Sequence, residues 1–173
     1  GWEAEEAVEN SRKSIAKNIG VKPAEISFFS GATEALNTAI LGYADNFPQE
    51  KSHIITCTTE HKAVLESCKY LEKLGFEVTY LSVNSEGEIN PEELKKTVKE
   101  NTILVCLMLA NNETGVIHSL TDFIRKINKP NIKWLADITP AIGKLKINLA
   151  EIPLDMAVFS GHKIYGPKGV GVL

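Results

Sequence analysis

The chain has 173 residues, enough for one domain with a real core, and its 43% hydrophobic and 24% charged content argues against disorder. A net charge of -3 leaves no basic face on the scale nucleic-acid binding needs, and no apolar run approaches the ~20 residues that cross a bilayer. Cys57, Cys68 and Cys106 are widely spaced without a CxxC pair, which argues against a zinc site. Their odd number and the lack of an export signal predict a reducing, cytoplasmic setting.

The acidic opening "GWEAEEAVENSRKSIAKNIG" is helix-patterned and closes near Gly20. It matches neither a signal nor a transit peptide, and its abrupt start suggests a longer parent protein. "VKPAEISFFS" predicts a short strand over residues 25–29, and "GATEALNTAILGYADNF" has helical spacing through Ala35, Ala39, Ile40 and Tyr43. "HIITCTT" is a β-branched strand; "EHKAVLESCKYLEKLG" is a helix ending on Gly75. "FEVTYLSV" is a strand and "NSEGEI" a turn. "NPEELKKTVKE" is a helix with Asn90 as N-cap, Pro91 first and Glu93 as capping-box partner.

"TILVCLMLA" is almost wholly apolar, as a strand covered on both faces requires, with Cys106 as a small buried hydrophobe. Loop "NNETGVI", helix "SLTDFIRKINK" and strand "IKWLAD" follow, then "ITPAIGKLKINLAEIP", strand "LDMAVFS", "SGHKIYGPKG" and "GVGVL". Strands alternating with helices predict an α/β fold, three layers with a mainly parallel central sheet. No repeat or linker interrupts residues 1–173, which read as a single domain.

Ligands of such sheets gather beyond the carboxyl ends of the strands. The polar residues there are Ser30-Gly31-Ala32-Thr33, Glu60-His61, Asn111-Asn112, Asp137 and Ser160-Gly161-His162-Lys163. "SGATEA" is a strand-to-helix junction that suits an anion, or a helix start capped by Ser30 or Thr33. Asp137 could hold a protonated ring nitrogen or cap the next turn. His61 could stack on a ring, move protons or simply begin a helix. Asn111 and Asn112 could bind oxygens or form a turn. Lys163, in a partly desolvated place, could bond covalently to a carbonyl, and the glycines after it allow a tight turn. His53 and His118 carry no motif and are expected at the surface or in loops. Together the first group supplies a phosphate cradle, a ring platform, a counter-ion and an amine: the parts of a pyridoxal phosphate site.

With "FFSGATEALNTAI", "TTEHKAVLESCKYLE", "LANNETGVI", "LADITPAIGKLKINL" and "FSGHKIYGPKGVGVL", the chain resembles the cysteine desulfurases among the class V, fold-type I pyridoxal phosphate enzymes. The resemblance runs along essentially the whole chain. It implies pyridoxal 5'-phosphate as cofactor and L-cysteine as substrate. It makes Lys163 the lysine that bonds the cofactor and moves protons at the substrate α-carbon, and His61 the histidine against the ring. Asp137 becomes the partner of the ring nitrogen, while Ala32, Thr33, Ser160 and His162 hold the phosphate. Asn112 lies near the cofactor and the substrate carboxylate.

It further implies a homodimer, a sulfur-acceptor or iron–sulfur scaffold protein as partner, and no nucleic acid or membrane. Residues 1–173 would be the large, cofactor-binding domain. The N-terminal segment, the small C-terminal domain, the substrate-gripping arginine and the loop bearing the sulfur-accepting cysteine have no counterpart here. Where the family commonly reads Asp-Ala-x-Gln, this chain has Asp137-Ile138-Thr139-Pro140. Pro140 offers no side-chain donor, and Ile138 is expected to crowd the ring. A selenocysteine lyase or another class V enzyme is a second reading, and a truncated or degenerate domain without catalysis a third.

Overall fold

The computed structural model describes residues 1–173. In chain order its first half holds α1 (Trp2–Ile19), β1 (Phe28–Phe29), α2 (Ala32–Ala44), β2 (His53–Cys57), α3 (Lys62–Lys73) and β3 (Glu77–Leu81). The second half holds α4 (Pro91–Thr97), β4 (Thr102–Cys106), α5 (Leu120–Ile127), β5 (Lys133–Asp137), β6 (Met156–Ser160) and β7 (Gly171–Val172). No helix is long and apolar enough to cross a membrane.

The strands form one sheet in the order β1-β7-β6-β5-β4-β2-β3. β3, β2, β4, β5 and β6 run parallel, whereas β7 is antiparallel to both β6 and β1. Only residues 161–170 separate β6 from β7. A parallel return needs a crossover of a dozen or more residues, so the chain must double back there. The order turns at β2: β3 lies on one side of it and β4 on the other. A crevice beyond the carboxyl ends of β2 and β4 is the expected ligand position for such a reversal.

Alternate residues of each strand face opposite layers. Ile54, Leu104, Cys106, Leu135 and Val158 pack against Leu36 and Ile40 of α2 and Val64, Cys68 and Leu71 of α3. Ile55, Val105, Leu107, Trp134 and Phe159 face the other way, against Ile19 of α1, Leu94 of α4 and Phe123 of α5. Every residue of β2 and β4 is therefore buried, as their near-continuous apolar character requires. The predicted α/β, three-layer, mainly parallel fold is the one observed.

Three local expectations change. The first strand shrinks to Phe28–Phe29, because Pro23–Glu25 winds into a 3-10 turn in which the Glu25 carboxylate accepts the Lys22 N–H. Asn90 caps α4 by accepting from Glu92 and Glu93 N–H, but Glu93 returns no side-chain bond. His53 and His118 are both buried, His53 in a strand and His118 in a loop as expected but not at the surface. His53 opens β2, where its ring nitrogens meet Thr102 Oγ1 on β4 and Thr79 Oγ1 on β3, each at 2.8 Å. Burial lowers the pKa of both histidines.

Candidate functional site

The residues singled out from the sequence come from five separate stretches, and a chain of close contacts joins those stretches along one edge of the sheet. Ser160, the last residue of β6, pairs in register with Gly171 of β7. A Cβ on Gly171 would sit 2.2 Å from the Gly31 carbonyl carbon, so only glycine lets β7 run against the start of α2. On the other side of β6, Ile138 N–H donates to Val158 O, which sets Asp137 beside β6. Leu109 N–H donates to Asp137 O, joining the exit of β4 to the end of β5. Asn111 Nδ2 donates to Thr59 O at 3.1 Å, and Met108 N–H donates to Glu60 Oε1 at 2.6 Å, which ties in the β2–α3 turn.

The start of α2 has the features of an anion cradle. Its N-cap is Gly31 and no side chain caps it, so neither Ser30 nor Thr33 fills that role. Ser30 instead donates both its N–H and its hydroxyl to Glu34 Oε2, at 2.7 and 2.8 Å. The backbone N–H groups at Ala32 and Thr33 remain at the positive end of the helix dipole. Ser160, buried, has its Oγ 2.6 Å from His162 Nδ1.

Lys163 lies on the one-turn 3-10 segment Gly161–Ile164 and, contrary to the partly desolvated place expected for it, is exposed. That turn closes on itself: Gly161 N–H donates to Val170 O and Gly166 N–H to Gly161 O. A Cβ on Gly166 would lie 2.8 Å from Gly161 O, so glycine is needed for that approach. The neighbouring loop also presses on it, since Ile164 lies where a Cβ on Gly143 would stand, 2.7 Å away.

Asp137 is 5% exposed at the end of β5. Its Oδ1 accepts Thr139 N–H at 2.9 Å, which is the turn-capping role, and its Oδ2 has no partner in the chain. One oxygen thus makes the turn, and the other is left without a partner. Thr139 Oγ1 is buried without a partner, a free hydroxyl next to Pro140, which offers none. Ile138 corrects the expected crowding: it is fully buried among Leu107, Leu109 and Ala141 on the α1 side of the sheet. Alternation along β5 turns it away from Asp137.

His61 is the N-cap of α3, with Nδ1 accepting Ala63 N–H at 3.1 Å. A neutral ring in that position carries its hydrogen on Nε2, and the ring itself is exposed. The two asparagines divide the work. Asn111 is buried and its Oδ1 accepts from Glu113 and Thr114 N–H, a turn role; Asn112 is exposed. All three thiols are buried. Burial pushes Cys68 up to about 12 and Cys106 well above the ordinary thiol range. No group of three or more His, Cys, Asp or Glu side chains is placed to hold a metal ion.

Sequence reasoning named Glu60 only as polar and gave it no task. It is 6% exposed, and its Oε2 is buried without a partner. A charged residue at the exit of a β-branched strand was the one signal for it, and that signal does not distinguish a buried carboxyl from a solvated one.

The aminotransferase class-V family model matches residues 1–173. The chain belongs to that family. Among curated members of the aminotransferase class-V family, it is 50% identical to "Cysteine desulfurase IscS" of Pasteurella multocida and 48% identical to that of Klebsiella pneumoniae. Both matches cover all of this chain and 43% of the relative, so the chain spans less than half the length of these relatives. The solved "NIFS-LIKE PROTEIN" superimposes with a TM-score of 0.95 at 45% identity, over 99% of this chain and 48% of that one. "SspA in complex with cysteine" does so with a TM-score of 0.93 at 38% identity, over 99% and 50%.

Proposed function

We propose that this chain is the cofactor-binding part of a cysteine desulfurase that uses pyridoxal 5'-phosphate. Residues 1–173 would form the large domain of the whole protein. The observation that carries the reading is the junction of Lys163, Asp137 and the uncapped start of α2 along one sheet edge, held there by Gly171 and by the β5–β6 pairing. The unpaired Asp137 Oδ2 and Thr139 Oγ1 are free to bond polar atoms of a ring. The cysteine desulfurase relatives supply the reaction class.

Ala32 and Thr33 N–H, with Ser160 and His162, would hold the phosphate. Asp137 would keep a proton on the ring nitrogen, His61 would lie against the ring, and Asn112 would meet the substrate side. Lys163 would hold the cofactor through its amine and move a proton at the α-carbon of L-cysteine. When bound, the cofactor supplies an electron sink for that carbon.

In the net reaction L-cysteine and a thiol give L-alanine and a persulfide. The thiol must reach the substrate as thiolate, and Cys57, Cys68 and Cys106 are all buried, so none of them suits that role. The sulfur-accepting cysteine would then lie in the whole protein outside residues 1–173. The whole protein would be a cytoplasmic homodimer that passes sulfur to an acceptor serving iron–sulfur cluster and thio-cofactor assembly.

The test adds pyridoxal 5'-phosphate to the purified chain and follows visible absorbance. The expected result is a band that Lys163→Ala removes, with no turnover of L-cysteine by these residues alone. Absence of the band in the wild-type chain would favour a domain that no longer binds the cofactor. Steady alanine production by the chain itself would overturn the placement of the accepting cysteine.

A further inference from the structure

Glu60 sits at the reversal of the sheet, between the two strands whose carboxyl ends open the crevice. The backbone ladder between β2 and β4 ends at Ile55 and Val105. Beyond it, side chains of the β2 segment replace the missing rungs. Thr56 Oγ1 donates to Cys106 O at 3.1 Å, and Glu60 Oε1 accepts Met108 N–H at 2.6 Å. On its other side the segment that continues β4 bonds to β5, through Leu107 N–H to Leu135 O and Leu109 N–H to Asp137 O. Glu60 thus joins the turn that starts α3, and with it His61, to the strand that positions Asp137.

A buried carboxyl in this place has two possible states, and the surroundings choose between them. The groups that act on it are Asp137 from β5, Cys68 from α3 and Cys106 from β4, none of them a cation. The chain's ion pairs all lie elsewhere. A carboxylate with one unpaired buried oxygen and another carboxylate nearby is strongly disfavoured, and the group relieves this by keeping its proton.

We propose that Glu60 is a positioning residue of the cofactor site, a neutral carboxyl that bridges β2 to β4 and leaves Asp137 as the single negative charge facing the ring. Burial first, opposed by the Met108 N–H and reinforced by Asp137, pushes its pKa up to about 8. The positioning role rests on the cofactor reading given above; the neutral state does not. Ionisation would place two carboxylates together and weaken the hold on the turn, shifting His61 and Asp137 together.

The experiment compares wild type, Glu60→Gln and Glu60→Leu by thermal melting of the cofactor-free chain and by the visible band of the chain with pyridoxal 5'-phosphate, both across pH. Glutamine keeps the acceptor for Met108 N–H and mimics the neutral acid. At the acidic end it should match wild type in melting and bind cofactor within about twofold. As pH rises from the ordinary 4.5 toward about 8, wild type should lose stability relative to Glu60→Gln, and its band should change more than that of Glu60→Gln. Glu60→Leu strands a buried N–H and should bind about tenfold more weakly at every pH, a loss that glutamine rescues. The same pH response in Glu60→Gln as in wild type would overturn the proposal, as would weak binding by Glu60→Gln at every pH. If no variant shows a Lys163-dependent band, the cofactor reading fails and the positioning role with it. The melting curves then still decide whether Glu60 is neutral.

Discussion

His53 and Glu60 are buried ionisable residues at opposite ends of the same region of the sheet, one opening β2 and the other following it. His53 has both ring nitrogens satisfied by threonines on the flanking strands, whereas Glu60 has one oxygen satisfied and one with no partner. The amino-terminal edge of the sheet is therefore closed polar packing. Past the carboxyl ends of the strands three buried atoms have no partner, Glu60 Oε2, Thr139 Oγ1 and His118 Nε2, and Asp137 Oδ2 accepts no hydrogen bond. A protein interior seldom leaves buried polar atoms unpaired, so their concentration past the carboxyl ends of the strands fits the ligand site proposed there.

The comparison can be broken at either end. His53→Ala should cost the most stability, about 2–4 kcal/mol, because it opens a cavity and removes the hydrogen bonds to both flanking threonines. Its cofactor binding, measured by titration of the visible band, should match wild type. A large binding defect with little loss of stability would erase the distinction between the two edges. Gly171→Ala should come next. Its Cβ would meet Gly31 backbone at 2.2 Å, so β7 and the start of α2 must separate. That overpacking should cost about 1–3 kcal/mol and weaken cofactor binding as well, since it displaces the cradle.

The two ends should also respond to pH with opposite signs. His53 has a pKa lowered by burial, so the stability it contributes is present above the ordinary 6.5 and lost as pH falls. Glu60 has a raised pKa, so its contribution is present below the ordinary 4.5 and lost as pH rises through about 8. The slope from Glu60 alone approaches about 1.4 kcal/mol per pH unit inside that window. Denaturant melts of His53→Ala and Glu60→Gln should each flatten one arm of the stability profile. The smallest effect belongs to the exposed Lys69–Glu66 pair, where Glu66→Gln should change stability by no more than about 0.5 kcal/mol.

Much of this arrangement was legible in the sequence because strong local patterns carried it. Runs such as "HIITC" and "TILVC" are apolar throughout because helices cover both faces of the sheet, and that fixes the α/β alternation. Asp137, Ser160 and Lys163 stood out as polar residues at the ends of apolar strands. Glu60 did not, because its partner Met108 lies 48 residues away and nothing near it in sequence announces that contact. His53 was missed for the same reason, its two threonines lying on other strands. The shortening of the first strand came from the turn at Pro23–Glu25, and Ile138 from strand alternation carried one residue past β5.

The most direct test of the central claim is to load the chain with pyridoxal 5'-phosphate, reduce it with borohydride and map the modified peptide by mass spectrometry. The account predicts one stoichiometric adduct, on Lys163, absent after Lys163→Ala and diminished in Gly171→Ala. An adduct spread over other exposed lysines such as Lys168, or one that survives loss of Lys163, would contradict it.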